Sequence, residues 1–156
     1  MATQTTYLNR MAVAVPGMIA TERQRDVSSK IVENSNGIPF GRAVGQGVAD
    51  NGVALGGALT TFVGISVKDI TLVPATLDSD YTDIYQRYST CGVMSMGDVW
   101  VQTGGAVTIG NAVYYNATTG VLDDSGGSGP IPGARWETST TGIGLAIVHL
   151  SGVQRT

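Results

Sequence analysis

Residues 97–122, GDVWVQTGGAVTIGNAVYYNATTGVL, carry the feature that most limits what this chain can become: an alternation of apolar and polar side chains that glycine repeatedly interrupts. A period of two belongs to half-buried strands, not to helices. Val99 and Val101 share one face of the expected strand, and Asp98, Trp100 and Gln102 share the other. Gly104-Gly105 is expected to supply the positive φ angles of a tight turn, and Met96-Gly97 to do the same before Trp100. Val113 and Tyr115 resume the alternation, and Ala117-Thr118-Thr119-Gly120 closes a longer hairpin with its glycine left-handed.

The remainder of the chain reads the same way. Of 156 residues, 22 are glycine and 13% are charged; ordinary domains carry about half that glycine share and roughly 25% charge. Many tight turns and few solvated helices follow. Short β-type runs recur between turn signals, the pattern of a sandwich or barrel. The best helical candidate is residues 78–88, where Tyr81, Tyr85 and Tyr88 stand at i, i+4 and i+7. Residues 126–133 (GGSGPIPG) and Asp50-Asn51-Gly52 read as loops. The fold class expected is mainly β: a compact antiparallel sandwich or barrel with little helix. Residues 1–20 form an N-terminal arm or a first strand, and residues 21–156 form a single β-rich domain.

A faint internal repeat supports that class. Phe40-Gly41-Arg42-Ala43-Val44 matches Ile109-Gly110-Asn111-Ala112-Val113. Each is followed by a turn and a short apolar pair, then by a glycine-led strand at Val63 or Ile143. Two copies suit two similar β-layers that face each other across one core.

Chemistry-bearing residues are few. The net charge of −3 argues against nucleic acid as a partner, since a binder needs basic clusters to displace phosphate counterions. The longest N-terminal apolar run, residues 11–20, is cut by Pro16-Gly17, too short to span a bilayer and a poor signal peptide. One cysteine excludes an internal disulfide and a cysteine-based zinc cage. These features favour synthesis in a reducing cytoplasm without a membrane anchor. His149, the single histidine, alternates with Val148 and Leu150 as a surface or half-buried strand residue, with Cys91 a small packed thiol; a pairing with Cys91 is the alternative. Asp78, Asp80 and Asp83 resemble the start of a calcium loop, but the sixth and twelfth positions are Asp83 and Ser89 instead of glycine and glutamate. An acidic loop is the plainer reading. Asn116-Ala117-Thr118 fits a glycosylation pattern and also the hairpin tip. No catalytic residue, metal or cofactor is expected.

The order of short motifs carries a resemblance. Ala14-Val15-Pro16-Gly17-Met18-Ile19-Ala20 is similar to the "PGM" signature near the start of the structural cement proteins of tailed-phage capsids. Tyr85 and Tyr88, residues 93–101, Gly104-Gly105-Ala106-Val107, residues 110–115, residues 131–136 and residues 145–150 follow in the family's order. The charged run Glu22-Arg23-Gln24-Arg25-Asp26 departs from the pattern. The resemblance implies a β-rich virion protein on the outer capsid surface that bridges neighbouring major capsid proteins against internal DNA pressure. Its partners would be the major capsid protein and copies of itself, trimers before dimers, with no nucleic acid and no membrane. Candidate contacts are Tyr7, Arg10, Pro16, Met18, Tyr85, Tyr88, Trp100, Arg135 and Trp136. Two rival classes stay open. One is a carbohydrate-binding module with an aromatic platform near Trp100 or Trp136; the other is an enzyme in which His149 and an acid converge.

Overall fold

The computed structural model describes residues 13–71, 84–127 and 129–152. Strands β1 (Asp26–Val32), β2 (Ile38–Pro39), β3 (Ala43–Gln46), β4 (Gly52–Leu55) and β5 (Phe62–Ser66) precede β6 (Ile84–Tyr85) and the long β7 (Thr90–Gln102). Strands β8 (Tyr114–Tyr115), β9 (Leu122–Asp123), β10 (Ala134–Trp136) and β11 (Leu145–Ser151) complete the order. The described residues hold no α-helix, only a 3-10 turn at Leu59–Thr61. The mainly β class is therefore what the chain adopts.

Five strands close a barrel in the order β1-β4-β3-β5-β7, and β7 pairs back onto β1. Closure leaves these strands without a free edge, which removes a template for aggregation. The 13 residues of β7 are too many for one small barrel, and the strand serves two bodies. Its first half pairs with β1 and β5, through Thr90↔Ile31 and Met94↔Ile65. Its second half pairs with β11, through Val99↔Val148 and Val101↔Ala146, and β11 pairs with β10. The changeover is marked by a bulge: Asp26 pairs Met96 and Val27 pairs Met94, which leaves Ser95 over. Gly97 follows at φ +126°, and a bulged strand bends and twists at such a point. The turn expected at Met96-Gly97 is thus a bend inside a continuous strand.

Consequently there are two cores, where the sequence pointed to two layers over one. Val32, Ile38, Phe40, Val44, Val53, Val63, Tyr85, Cys91 and Val93 fill the barrel, with the short β2–β6 pair among them. Val99, Val101, Ala146, Val148, Leu150, Trp136, Tyr115 and Leu122 belong to a second cluster that reaches onto Ala43, Ile65 and Met94. A second bulge lets one strand feed both. Val44 pairs Gly64 and Gly45 pairs Phe62, so Val63 is left over. Phe62 then reaches the second cluster while Val63 stays in the barrel. The face assignment in β7 follows the alternation, with Val99 and Val101 fully buried and Gln102 exposed.

The repeat survives locally and fails globally. Gly41 and Gly110 both have positive φ, +68° and +85°, and each precedes a hairpin, β3–β4 or β8–β9. The third members differ: β5 pairs with β3, whereas β11 pairs with β7 and β10. Gly120, at φ +64°, is left-handed as expected. Gly104 and Gly105 are not among the positive-φ glycines. The backbone there continues from β7 with Gly104 N–H donating to the Leu122 carbonyl at 2.9 Å. Of the helical candidate, residues 84–85 form β6 and residues 86–89 a turn; residues 78–83 lie outside the described residues. The helical spacing is overruled at Tyr85, which packs inside the barrel.

Candidate functional site

The N-terminal segment is stitched into the fold at its glycine. Gly17 N–H donates to the Trp100 carbonyl at 2.7 Å, Trp100 N–H to Met18 O at 2.8 Å, and Ala20 N–H to Asp98 O at 2.9 Å. Residues 17–20 therefore lie along the edge of β7's second half that β11 leaves open, with Ile19 opposite Val99. Lys68 N–H donates to Gly17 O at 2.7 Å, which ties the segment to the residues after β5.

Two glycines make this docking sterically feasible. Gly17 has φ +82°, and a Cβ there would stand 2.8 Å from Lys68 N and 2.9 Å from Phe40 Cβ. Gly41 has φ +68°, and a Cβ there would stand 2.8 Å from Gly17 N and 3.1 Å from Pro16 Cβ. The Pro16-Gly17 and Phe40-Gly41 dipeptides form a clasp that only glycine fits. The "PGM" motif thus carries a structural duty that its sequence does not advertise. Met18, by contrast, is 46% exposed beside the clasp.

Just past the clasp is the most buried carboxylate among the described residues. Asp98 is 2% exposed. His149 Nδ1 lies 2.6 Å from Asp98 Oδ1, Thr21 Oγ1 donates to Asp98 Oδ2 at 2.5 Å, and Arg23 Nη1 is 3.7 Å from the same oxygen. Burial by itself raises the Asp98 pKa. The bonds from Thr21 and His149 and the charges of His149 and Arg23 outweigh it and hold the carboxyl below its usual range. His149 stands directly opposite Asp98 in the β7–β11 ladder, so their contact follows from register alone. Sequence reasoning allowed His149 to meet an acid but could not say which, because the pairing of β7 with β11 is not written in either strand. Part of the charged run 22–26 finds its place here: Arg23 anchors on Asp98 and Arg25 pairs with Glu22 at 3.4 Å. The Cys91–His149 pairing is not formed. Cys91 is fully buried in the barrel, and burial raises its thiol to about 12.

The remaining candidates separate by burial. Tyr85 is 1% exposed, with its O–H donating to the Val67 carbonyl at 2.5 Å. Trp136 is 0% exposed, and its Nε1 has no hydrogen-bond partner among the described residues. Both are core residues, so their expected service as surface contacts, and a sugar platform at Trp136, are withdrawn. Trp136 is large enough to fill the second core. Trp100 and Pro16 are half-buried, and Arg135 is exposed with Nε 2.8 Å from Glu137 Oε1. Tyr88 is exposed at φ +66°, with the Arg87 guanidinium 4.6 Å from its ring centroid. That backbone conformation costs an L-residue roughly 1–2 kcal/mol. Tyr7, Arg10 and the aspartates at 78, 80 and 83 lie outside the described residues. Among the described residues no group of three or more His, Cys, Asp or Glu is placed to hold a metal ion, and no helix is long and apolar enough to cross a membrane.

Two surface features that the sequence did not reveal complete the inventory. The Glu33 carboxylate accepts the backbone N–H groups of Val48 and Ala49 at 2.7 and 2.8 Å; these bonds hold its pKa below the ordinary value and fix the β3–β4 tip. A cavity of about 310 Å³ opens beside the β8–β9 hairpin, lined by Tyr115, Asn116, Thr119, Asp123 and Ser125 among others.

The family model described as structural cement protein (E217 gp24/Pam3 gp6) matches residues 3–151. Among solved structures, the capsid of Myoviridae phage XM1 includes a chain with a TM-score of 0.71 and 16% identity, covering 99% of this chain and 100% of that one. The head fiber gp8.5 N base of bacteriophage phi29 aligns with a TM-score of 0.45 and 10% identity over 84% of this chain and 99% of that one. The first likeness concerns the fold, and the second is too distant to carry weight. No curated protein matches.

Proposed function

The chain belongs to the phage structural cement protein family, a family of structural proteins, and from that premise we propose that it decorates the outside of an icosahedral head and bridges neighbouring major capsid proteins. The family match over residues 3–151 is the observation that carries this reading. Closed β-barrel architecture suits the task, since a clamp that loses little freedom on binding keeps more of its contact energy. Many copies, each with a modest interface, then reinforce a shell through multivalency. Copies self-associate, a trimer before a dimer, and contribute Met18, Tyr88, Trp100 and Arg135 to contacts with the shell or with one another.

The Gly17–Gly41 clasp and the Asp98 anchor hold residues 17–21 on the body, and residues 2–12 serve in this reading as an arm that adds contact with a capsid subunit. The test is co-sedimentation of purified protein with heads lacking it, together with quantitative mass spectrometry of intact virions. A copy number comparable to the capsid subunit is expected, and deleting residues 2–12 should leave a folded protein that no longer decorates. A copy number of a few per particle, or unchanged decoration by the truncated chain, refutes the corresponding half of the proposal.

A further inference from the structure

The turn at residues 86–89 holds an aromatic ring away from the body. Ser89 donates both its N–H and its O–H to the Gln86 carbonyl, at 3.1 and 2.6 Å. Tyr88 N–H donates to Val32 O at the end of β1, at 2.8 Å. Tyr88 is the one non-glycine residue with positive φ among the described residues, and strain of this kind concentrates where a side chain must be aimed. Its ring is 71% exposed and Arg87 stacks on it. Arg87 forms no ion pair among the described residues. Tyrosine and arginine together are the residue types most enriched at the energetic centres of interfaces.

A socket of opposite character lies beside the β8–β9 hairpin. Its volume, about 310 Å³, is at the lower end of the range for pockets that enclose a ligand, roughly 300–1,000 Å³. Asp123 lines it. Asp123 Oδ1 accepts the Asp124 N–H at 2.8 Å, while Oδ2 accepts nothing from the described residues. Asn116 Oδ1 is turned to the N–H groups of Thr118 and Thr119, at 2.8 and 3.0 Å, which leaves its Nδ2 donors for another molecule. Gly104 keeps the wall open, since a Cβ there would stand 3.1 Å from Asp123 Oδ2.

We propose that the Arg87-Tyr88 turn of one copy seats in the Asp123 cavity of a second copy of this chain. The ring occupies the cavity, and the guanidinium meets the free oxygen of Asp123. Charge selects this occupant. An acidic cavity with a spare carboxylate oxygen attracts a cation, and the turn offers an unpaired one on an aromatic support. The turn with Val48 fully exposed is a poorer fit, because Asp50 two residues on would bring a like charge towards Asp123. Knob and socket are different patches, so the contact is either a reciprocal two-fold pair or a head-to-tail ring. This inference rests on the self-association read above and names the surfaces that carry it.

The experiment uses the full-length chain in two single variants, Gln86→Cys and Thr119→Cys, mixed under mild oxidation, so that the Arg87 and Tyr88 side chains stay in place. Cys91 is fully buried and stays silent in the folded protein. A disulfide-linked species that appears in the mixture, and in neither variant alone, is expected. In parallel, Arg87→Gln and Asp123→Asn should each weaken self-association at least tenfold by analytical ultracentrifugation. If the wild-type chain self-associates but the mixture yields no cross-link and both charge variants associate normally, the knob and socket are wrong and the oligomer stands. If the wild-type chain stays monomeric at every concentration, the oligomer reading falls and takes this contact with it.

Discussion

Replacing Gly41 by alanine tests the clasp most directly, because the structure separates its two costs. The first is conformational: φ is +68°, and an L-residue forced there loses roughly 1–2 kcal/mol. The second is steric. The new Cβ would stand 2.8 Å from Gly17 N and 3.1 Å from Pro16 Cβ. Gly17 cannot retreat freely, since its N–H and its carbonyl are held by Trp100 and Lys68 at 2.7 Å each. Overpacking of this kind costs about 1–3 kcal/mol. The sum is about 2–5 kcal/mol, a large share of the 5–15 kcal/mol that stabilises a typical domain. At about 2–4 °C per kcal/mol for a chain this long, Tm should fall by roughly 4–20 °C. Two controls isolate the terms. Gly110→Ala keeps the strain (φ +85°) without any atom within 4 Å of the new Cβ, so it should lose about 1–2 kcal/mol only. Gly142→Ala meets nothing within 4 Å and has no positive φ, so it should stay within about 0.5 kcal/mol of wild type. Denaturant titration of all three, with hydrogen exchange at Ala20 and Trp100, provides the readout. Equal losses for Gly41→Ala and Gly110→Ala would refute the clasp as a tight contact.

Four further outcomes are expected. Asp98→Ala strips Thr21 and His149 of their shared partner and should cost about 1–3 kcal/mol, with trypsin cleavage at Arg23 and Arg25 accelerated. The folded pKa of Asp98 lies below its unfolded value, so the carboxylate's stabilising contribution is complete above the unfolded pKa, near 3.9. It is lost as pH falls through the folded pKa, so the stability gap between wild type and Asp98→Asn, followed by urea titration, should narrow only below about pH 4. Trp136→Ala should cost about 3–5 kcal/mol by opening the second core, whereas Trp136→Phe should cost much less, because the indole N–H has no partner among the described residues; calorimetry compares the two. Native Cys91 should resist a thiol reagent that labels the unfolded chain at once, since burial pushes the thiol up to about 12.

Glycine spacing and two-residue alternation determined the class of fold and the faces of its strongest strands. Those signals are local: a period of two decides which side chains share a face, whatever the partner strand. That is why Val99 and Val101 could be placed on one shared face from sequence, and why the left-handed Gly120 was legible. The helical reading of Tyr85 failed because periodicity over eleven residues cannot weigh a barrel's need for an aromatic plug. Tertiary structure alone decided which strands meet. Pairing joins residues far apart in the chain, and nothing within β7 states that β11 will lie beside it; so the contact of Asp98 with His149, 51 positions away, could not be read beforehand. The same holds for the clasp, where Gly17 and Gly41 are each ordinary turn glycines until the fold presses their backbones together.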